Sequence, residues 1–153
     1  MSLVLCLGLA EGSRMAKPRK RKGEMSCPDE PFWEPLLGLV GFEVTGDFMY
    51  MFQVEMRDGT KLHAYKHRDT RRYIHLTDRG EAWYYEEPDW YRPCRSSSML
   101  LAVFRNLREL GGVTERQVEA SHKAYERAAD HDDFLEYIAE REAKSSDDAE
   151  AVA

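Results

Sequence analysis

The sequence predicts an α+β fold: an antiparallel β-meander of about four strands, followed by two or three C-terminal helices packed on one sheet face. Three observations predict it. Residues 48–86 alternate with period two and are cut by turn signals. Asp58-Gly59 is a strong hairpin signal, because glycine accepts the positive φ a tight turn needs. From Met99 to Leu110 the apolar residues recur every three or four positions, as on a helix that covers a sheet.

In the first predicted strand, Phe48, Tyr50, Phe52, Val54 and Met56 alternate with Met49, Met51, Gln53, Glu55 and Arg57. The first set is uniformly apolar or aromatic and is expected to face the core. Residues 61–66, 71–76 and 81–86 read as the returning strands, with polar turns at residues 67–70 and 77–80. Whether Tyr73 or Ile74 points inward depends on register, since a one-residue slip exchanges the faces. On the second strand, Leu62 and Ala64 read as core, and His63, Tyr65 and His67 as the exposed face.

Ahead of the meander, residues 1–30 read as a disordered extension with a basic cluster. Lys17, Arg19, Lys20, Arg21 and Lys22 stand within six positions, and such a cluster repels itself and attracts phosphate. The apolar start, residues 1–10, is too short to span a bilayer and lacks the positive flank of a signal peptide, so no membrane is expected. Met15 opens a second plausible start. Pro28, Pro31 and Pro35 interrupt regular structure, and Phe32 and Trp33 are placed at the domain edge. The run Leu36–Phe42 fits one helical turn or a first strand.

Behind the meander, residues 87–95 read as a proline-punctuated connector, and Ser96–Ser98 offer caps for the helix that carries Met99, Leu100, Val103, Phe104 and Leu107. Thr114-Glu115-Arg116-Gln117 is a capping box, in which the Thr hydroxyl and Gln side chain each satisfy a free backbone amide. The stripe Val118, His122, Tyr125 and Ala129 would continue onto Asp132 and Glu136. It fails there, so a break is predicted near Asp130, with Phe134, Leu135 and Ile138 as the face of a third helix. The folded domain is thus expected over residues 31–143, with an acidic disordered tail over 144–153.

Net charge is −6, but unevenly held. Residues 1–80 carry 13 Lys+Arg against 11 Asp+Glu, and residues 81–153 carry 9 against 17. Nucleic acid would therefore meet the front half. Cys6, Cys27 and Cys94 are odd in number and far apart, which points to a reducing, cytoplasmic setting.

No Gly-x-Ser-x-Gly, phosphate loop, dinucleotide fingerprint or His-Glu-x-x-His occurs. His63, His67 and the cross-strand His75, with Asp69, could in principle hold a metal ion. Their spacing matches no metal motif, and a solvated sheet face is the plainer reading; no cofactor is expected. From Arg57 to Arg79, seven Lys+Arg stand against three acids, all three in turns, with Tyr65 and Tyr73 interleaved. Leu107–Val118 resembles the turn of a helix-turn-helix over about twelve residues, but Gly112 is extra and Glu115, Glu119 and Glu126 would face phosphate badly. A capped helical hairpin is the commoner explanation.

The functional expectation is a small non-enzymatic binding or adaptor protein with a protein partner, acting through the exposed sheet face and the helical hairpin. The alternative is a nucleic-acid-binding protein. It would use the basic arm, Lys17 and Arg19–Lys22, and a basic-aromatic sheet face with His63, Tyr65, His67, Arg68, Arg71 and Arg72.

Overall fold

A computed structural model describes residues 19–152, with side chains to residue 146. In chain order the elements are β1 (Lys20–Arg21), β2 (Glu24–Ser26), α1 (Glu34–Thr45), β3 (Phe48–Glu55), β4 (Lys61–His67), β5 (Tyr73–Thr77), β6 (Ala82–Glu86), β7 (Trp90–Pro93), α2 (Ser96–Val103), a 3-10 turn (Leu107–Glu109) and α3 (Glu115–Val152). The fold is α+β. The described sheet has seven strands rather than about four, all pairs antiparallel, in the order β1-β7-β6-β5-β4-β3-β2.

The three additional strands change the architecture. β7 pairs with β6 where a connector was predicted, with Tyr85 opposite Tyr91. β1 and β2 lie at opposite ends of the strand order, yet only Lys22 and Gly23 separate them. One stretch of chain therefore pairs with β7 through Lys20 and Arg21, and with β3 through Glu24, Met25 and Ser26. The sheet is curled, and residues 20–26 form the seam between its two edges. The folded part thus begins earlier than residue 31, inside what reads from sequence as an extension; Lys17 and the two candidate starts lie outside the described residues. Gly23 is where the seam passes from one edge to the other. A Cβ there would fall on the backbone carbonyl oxygen of Glu55, so only glycine fits.

Curling gives the sheet two buried faces. On one side Phe48, Tyr65, Ile74 and Leu76 pack against Leu36, Val40 and Val44 of α1, Leu100 and Val103 of α2, and Ala124 and Ala128 of α3. On the other, Val54, Met56, Leu62, Trp83 and Tyr91 form a second cluster. Ile74, not Tyr73, points to the helices. The strand pairing also corrects β3. Tyr50 is opposite Tyr65 but Phe52 is opposite Ala64, a bulge that leaves Met51 unpaired. The extra residue moves the alternation by one, so Phe48 and Tyr50 serve the helical side while Phe52 and Val54 serve the inner side. They do not form one continuous face.

Leu36–Phe42 is helical, within α1. Pro35 opens that helix, where its missing N–H costs nothing, and Gly41 at φ +87° breaks it. At the break Arg127 of α3 donates to the Val40 carbonyl at 3.0 Å. α2 is shorter than the predicted Met99–Leu110 helix: Asn106 adopts a left-handed conformation at φ +62°, and Leu107 turns inward on the 3-10 turn. The capping box forms as predicted, with the Gln117 N–H donating to Thr114 Oγ1 at 3.1 Å and the Thr114 N–H to Gln117 Oε1 at 2.9 Å. No break occurs near Asp130, and α3 continues through the predicted acidic tail to Val152. The apolar stripe fails at Asp132 because that buried carboxylate faces α2, where Oδ2 accepts the Ser97 N–H at 2.8 Å.

Candidate functional site

The residues singled out in the sequence do not share one exposed face. His63, Tyr65 and His67 point to the helical side and are buried. Alternation with Leu62 and Ala64 predicts them outward, but both faces of the strand are covered once the sheet curls. His75 lies on the opposite side from His63 and His67, so the three histidines do not converge.

Each buried polar group has its own setting. His63 Nε2 lies 2.6 Å from Asp78 Oδ1, and Nδ1 lies 2.9 Å from the Tyr50 hydroxyl. With the proton on Nε2, Asp78 accepts from His63 and Nδ1 accepts from Tyr50. Burial, then the charges of Asp78 and Cys27, raise the Tyr50 hydroxyl above its ordinary value, so it stays a donor at neutral pH. Tyr65 donates to the Phe32 carbonyl at 2.5 Å, and burial raises its hydroxyl too. His67 Nδ1 accepts the N–H groups of Asp69 and Thr70 at 3.2 Å, which organises the β4–β5 turn; burial lowers its basicity.

The arginines divide similarly. Arg72 reaches the end of α2 and donates to the carbonyls of Ala102 at 3.3 Å and Arg105 at 2.8 Å. This satisfies carbonyls that a helix C-terminus leaves free. Arg68 and Arg71 are exposed in the turn, Arg71 at φ +66°.

The basic cluster is the largest surprise. Arg19 and Arg21 lie over the Trp90 ring at 3.9 and 4.7 Å, and Arg19 also pairs with Glu86 at 3.1 Å. Lys20 bonds Asp58 at 2.6 Å and lies 5.3 Å from the Trp83 ring. Lys22 lies 5.4 Å from the Tyr85 ring. Alternate residues of the seam thus reach Trp90 on one side, and Trp83 and Tyr85 on the other. The aromatic residues that receive the cluster are scattered over residues 83–91 in the sequence. Only the strand pairing reveals the match.

Two open surfaces stand out among the described residues. The first is a groove of about 620 Å³ between the turn after α2 and the first half of α3, lined by Leu101, Phe104, Leu107, Val118, Ser121 and Tyr125. Leu101 stands at its lip, 57% exposed. The Ser121 hydroxyl is buried without a hydrogen-bond partner among the described residues. Arg105 lines the same groove. Sequence reading reached the helical hairpin but missed the groove, because the helix was expected to run on to Leu110.

The second is an aromatic shelf on the inner side of the sheet. Tyr73 stacks on His75 with rings 6.0 Å apart and 15° from parallel, and His75 meets Tyr91 edge-on at 5.2 Å. Tyr91 in turn contacts Tyr85 at 5.2 Å, and Phe52 flanks Tyr73 at 6.1 Å. Compared with known proteins, the chain matches no family model, no curated protein and no solved structure.

Proposed function

We propose that this chain is a non-enzymatic binding protein whose partner is a protein, held by an apolar segment in the groove between the turn after α2 and α3. The observation that carries this reading is the groove itself: an open apolar trough with an exposed leucine at its lip and an unpaired hydroxyl in its wall. Arg105, Arg108 and Glu109 also line the groove, and Arg108 is engaged by Glu115, which leaves Arg105 to meet a carboxylate beside the apolar segment.

The Tyr50–His63–Asp78 chain supports a structural rather than a catalytic part for these groups. Its end is a phenol made harder to ionise, not an activated nucleophile. Cys27 and Cys94 are unpaired, which fits the expected reducing, cytoplasmic setting. Among the described residues no helix is long and apolar enough to cross a membrane.

The test is a photo-crosslinker at position 101, used in nuclease-treated extract of the native host. A discrete protein adduct, lost in Val118→Glu and competed by unlabelled protein, is the expected result. Absence of any protein adduct, or turnover that depends on one polar side chain, would refute the reading.

A further inference from the structure

We infer that the aromatic shelf is a binding site for a planar base joined to a phosphate, the unit shared by a free nucleotide and a single-stranded nucleic acid. Its floor is His75, only 8% exposed, whose imidazole nitrogens bond no described residue. Its aromatic contacts are Tyr73 on the same strand, Tyr91 on β7 and, at 6.4 Å, Phe52 on β3. Burial, and secondarily the charge of Lys22, push His75 down to about 4, so at neutral pH one nitrogen donates and the other accepts. A base edge offers the complementary pair.

The walls of the shelf supply the rest. Tyr73 and Tyr85 are 38% and 37% exposed, enough to present ring faces for stacking. Above them stand two ammonium groups, Lys22 at 5.4 Å from the Tyr85 ring and Lys66 at 5.7 Å from the Tyr73 ring. Neither forms an ion pair among the described residues, unlike Arg19, Lys20 and Arg92 nearby. Two unpaired cations over exposed rings, around an unpaired buried imidazole, match a ligand with a flat face, a polar edge and an anionic group. Lys22 comes from the seam and Lys66 from β4, so the site is assembled only when the sheet has curled.

The experiment is an NMR titration of the whole chain, reading the ring signals of Tyr73, Tyr85 and His75. Three probes are used at low salt: adenosine monophosphate, a short oligoadenylate and inorganic phosphate. Saturable shifts at these rings with the mononucleotide identify a free nucleotide as sufficient. Shifts only with the oligomer, weakening steeply with salt, identify a strand. Tyr85→Ala should weaken binding roughly tenfold through lost stacking. Lys22→Gln with Lys66→Gln should flatten the salt dependence while leaving the circular dichroism spectrum unchanged. No shift at these rings with any nucleotide probe overturns the inference. So does inorganic phosphate binding as tightly as the mononucleotide, or affinity indifferent to both sets of substitutions.

Discussion

Asp132 of α3 accepts a hydrogen bond from the backbone N–H of Ser97 at 2.8 Å, capping α2 from another helix. Ser97 lies in the first turn of α2, whose amides have no intrahelical partner, and a carboxylate there also meets the positive end of the helix dipole. Arg95 closes the arrangement, with ion pairs to Asp133 and Glu136 at 2.9 Å. Asp132→Ala should therefore cost about 1–2 kcal/mol, within the range for a lost N-cap. Urea unfolding would show the midpoint fall with an unchanged slope. Asp133→Ala, which removes an exposed pair, should cost under about 1 kcal/mol.

Gly23→Ala tests the seam. The added methyl cannot coexist with the Glu55 carbonyl, so the strand must leave one edge of the sheet. A destabilisation of ~2 kcal/mol or more is expected, as for other clashes forced into a packed site. Hydrogen exchange should quicken at the Lys22 amide, which otherwise donates to the Asp89 carbonyl at 2.6 Å.

Stability should fall on acidification through histidine. His75 is lowered from 6.5 to about 4 in the folded chain. Between these values the unfolded chain holds a proton that the native chain lacks. Stability is therefore constant above the unfolded value, declines as pH drops from about 6.5 to about 4, and levels below. The loss is about 3 kcal/mol for His75, and His67 moves in the same direction. His75→Phe should flatten most of the slope in denaturant titrations repeated across this range. A slope equal to that of the unsubstituted protein would show that His75 does not carry it.

Arg72→Ala separates a structural from a binding role. Removing the donor to Ala102 and Arg105 should cost about 1 kcal/mol of stability. Its effect on any nucleotide titration at the aromatic shelf should be negligible. A large loss of nucleotide affinity with unchanged stability would return Arg72 to a ligand-binding surface.

The central strands, the helical cover, the capping box and about half of the core, among it Phe48, Val54, Leu62, Leu100 and Val103, were legible in the sequence, because periodicity and local hydrogen bonding encode them. What was hidden depends on pairings between distant residues. The Met51 bulge carries no local signature in a run of apolar side chains, and it reverses the faces of half a strand. Asp132 breaks the apolar stripe of α3 without breaking the helix, since its partner is Ser97 on another element. The basic cluster looks free until Trp83, Tyr85 and Trp90 are placed beside it. The aromatic shelf draws its rings from β3, β5, β6 and β7, so no window of sequence contains it.

The seam also sets an order of events. Residues 20–26 leave the ribosome before any strand they pair with. β2 can join β3 once Glu55 has been made, but β1 must wait for Trp90 and Tyr91. Closure of the sheet is therefore a late, long-range step of the kind that slows folding, because chain entropy is lost before the contact is made. Until then Trp83 and Tyr91 lack their cover, and Lys22 is not yet above the shelf. A nascent chain of this protein acquires its proposed nucleotide site at the same moment that it acquires its closed shape.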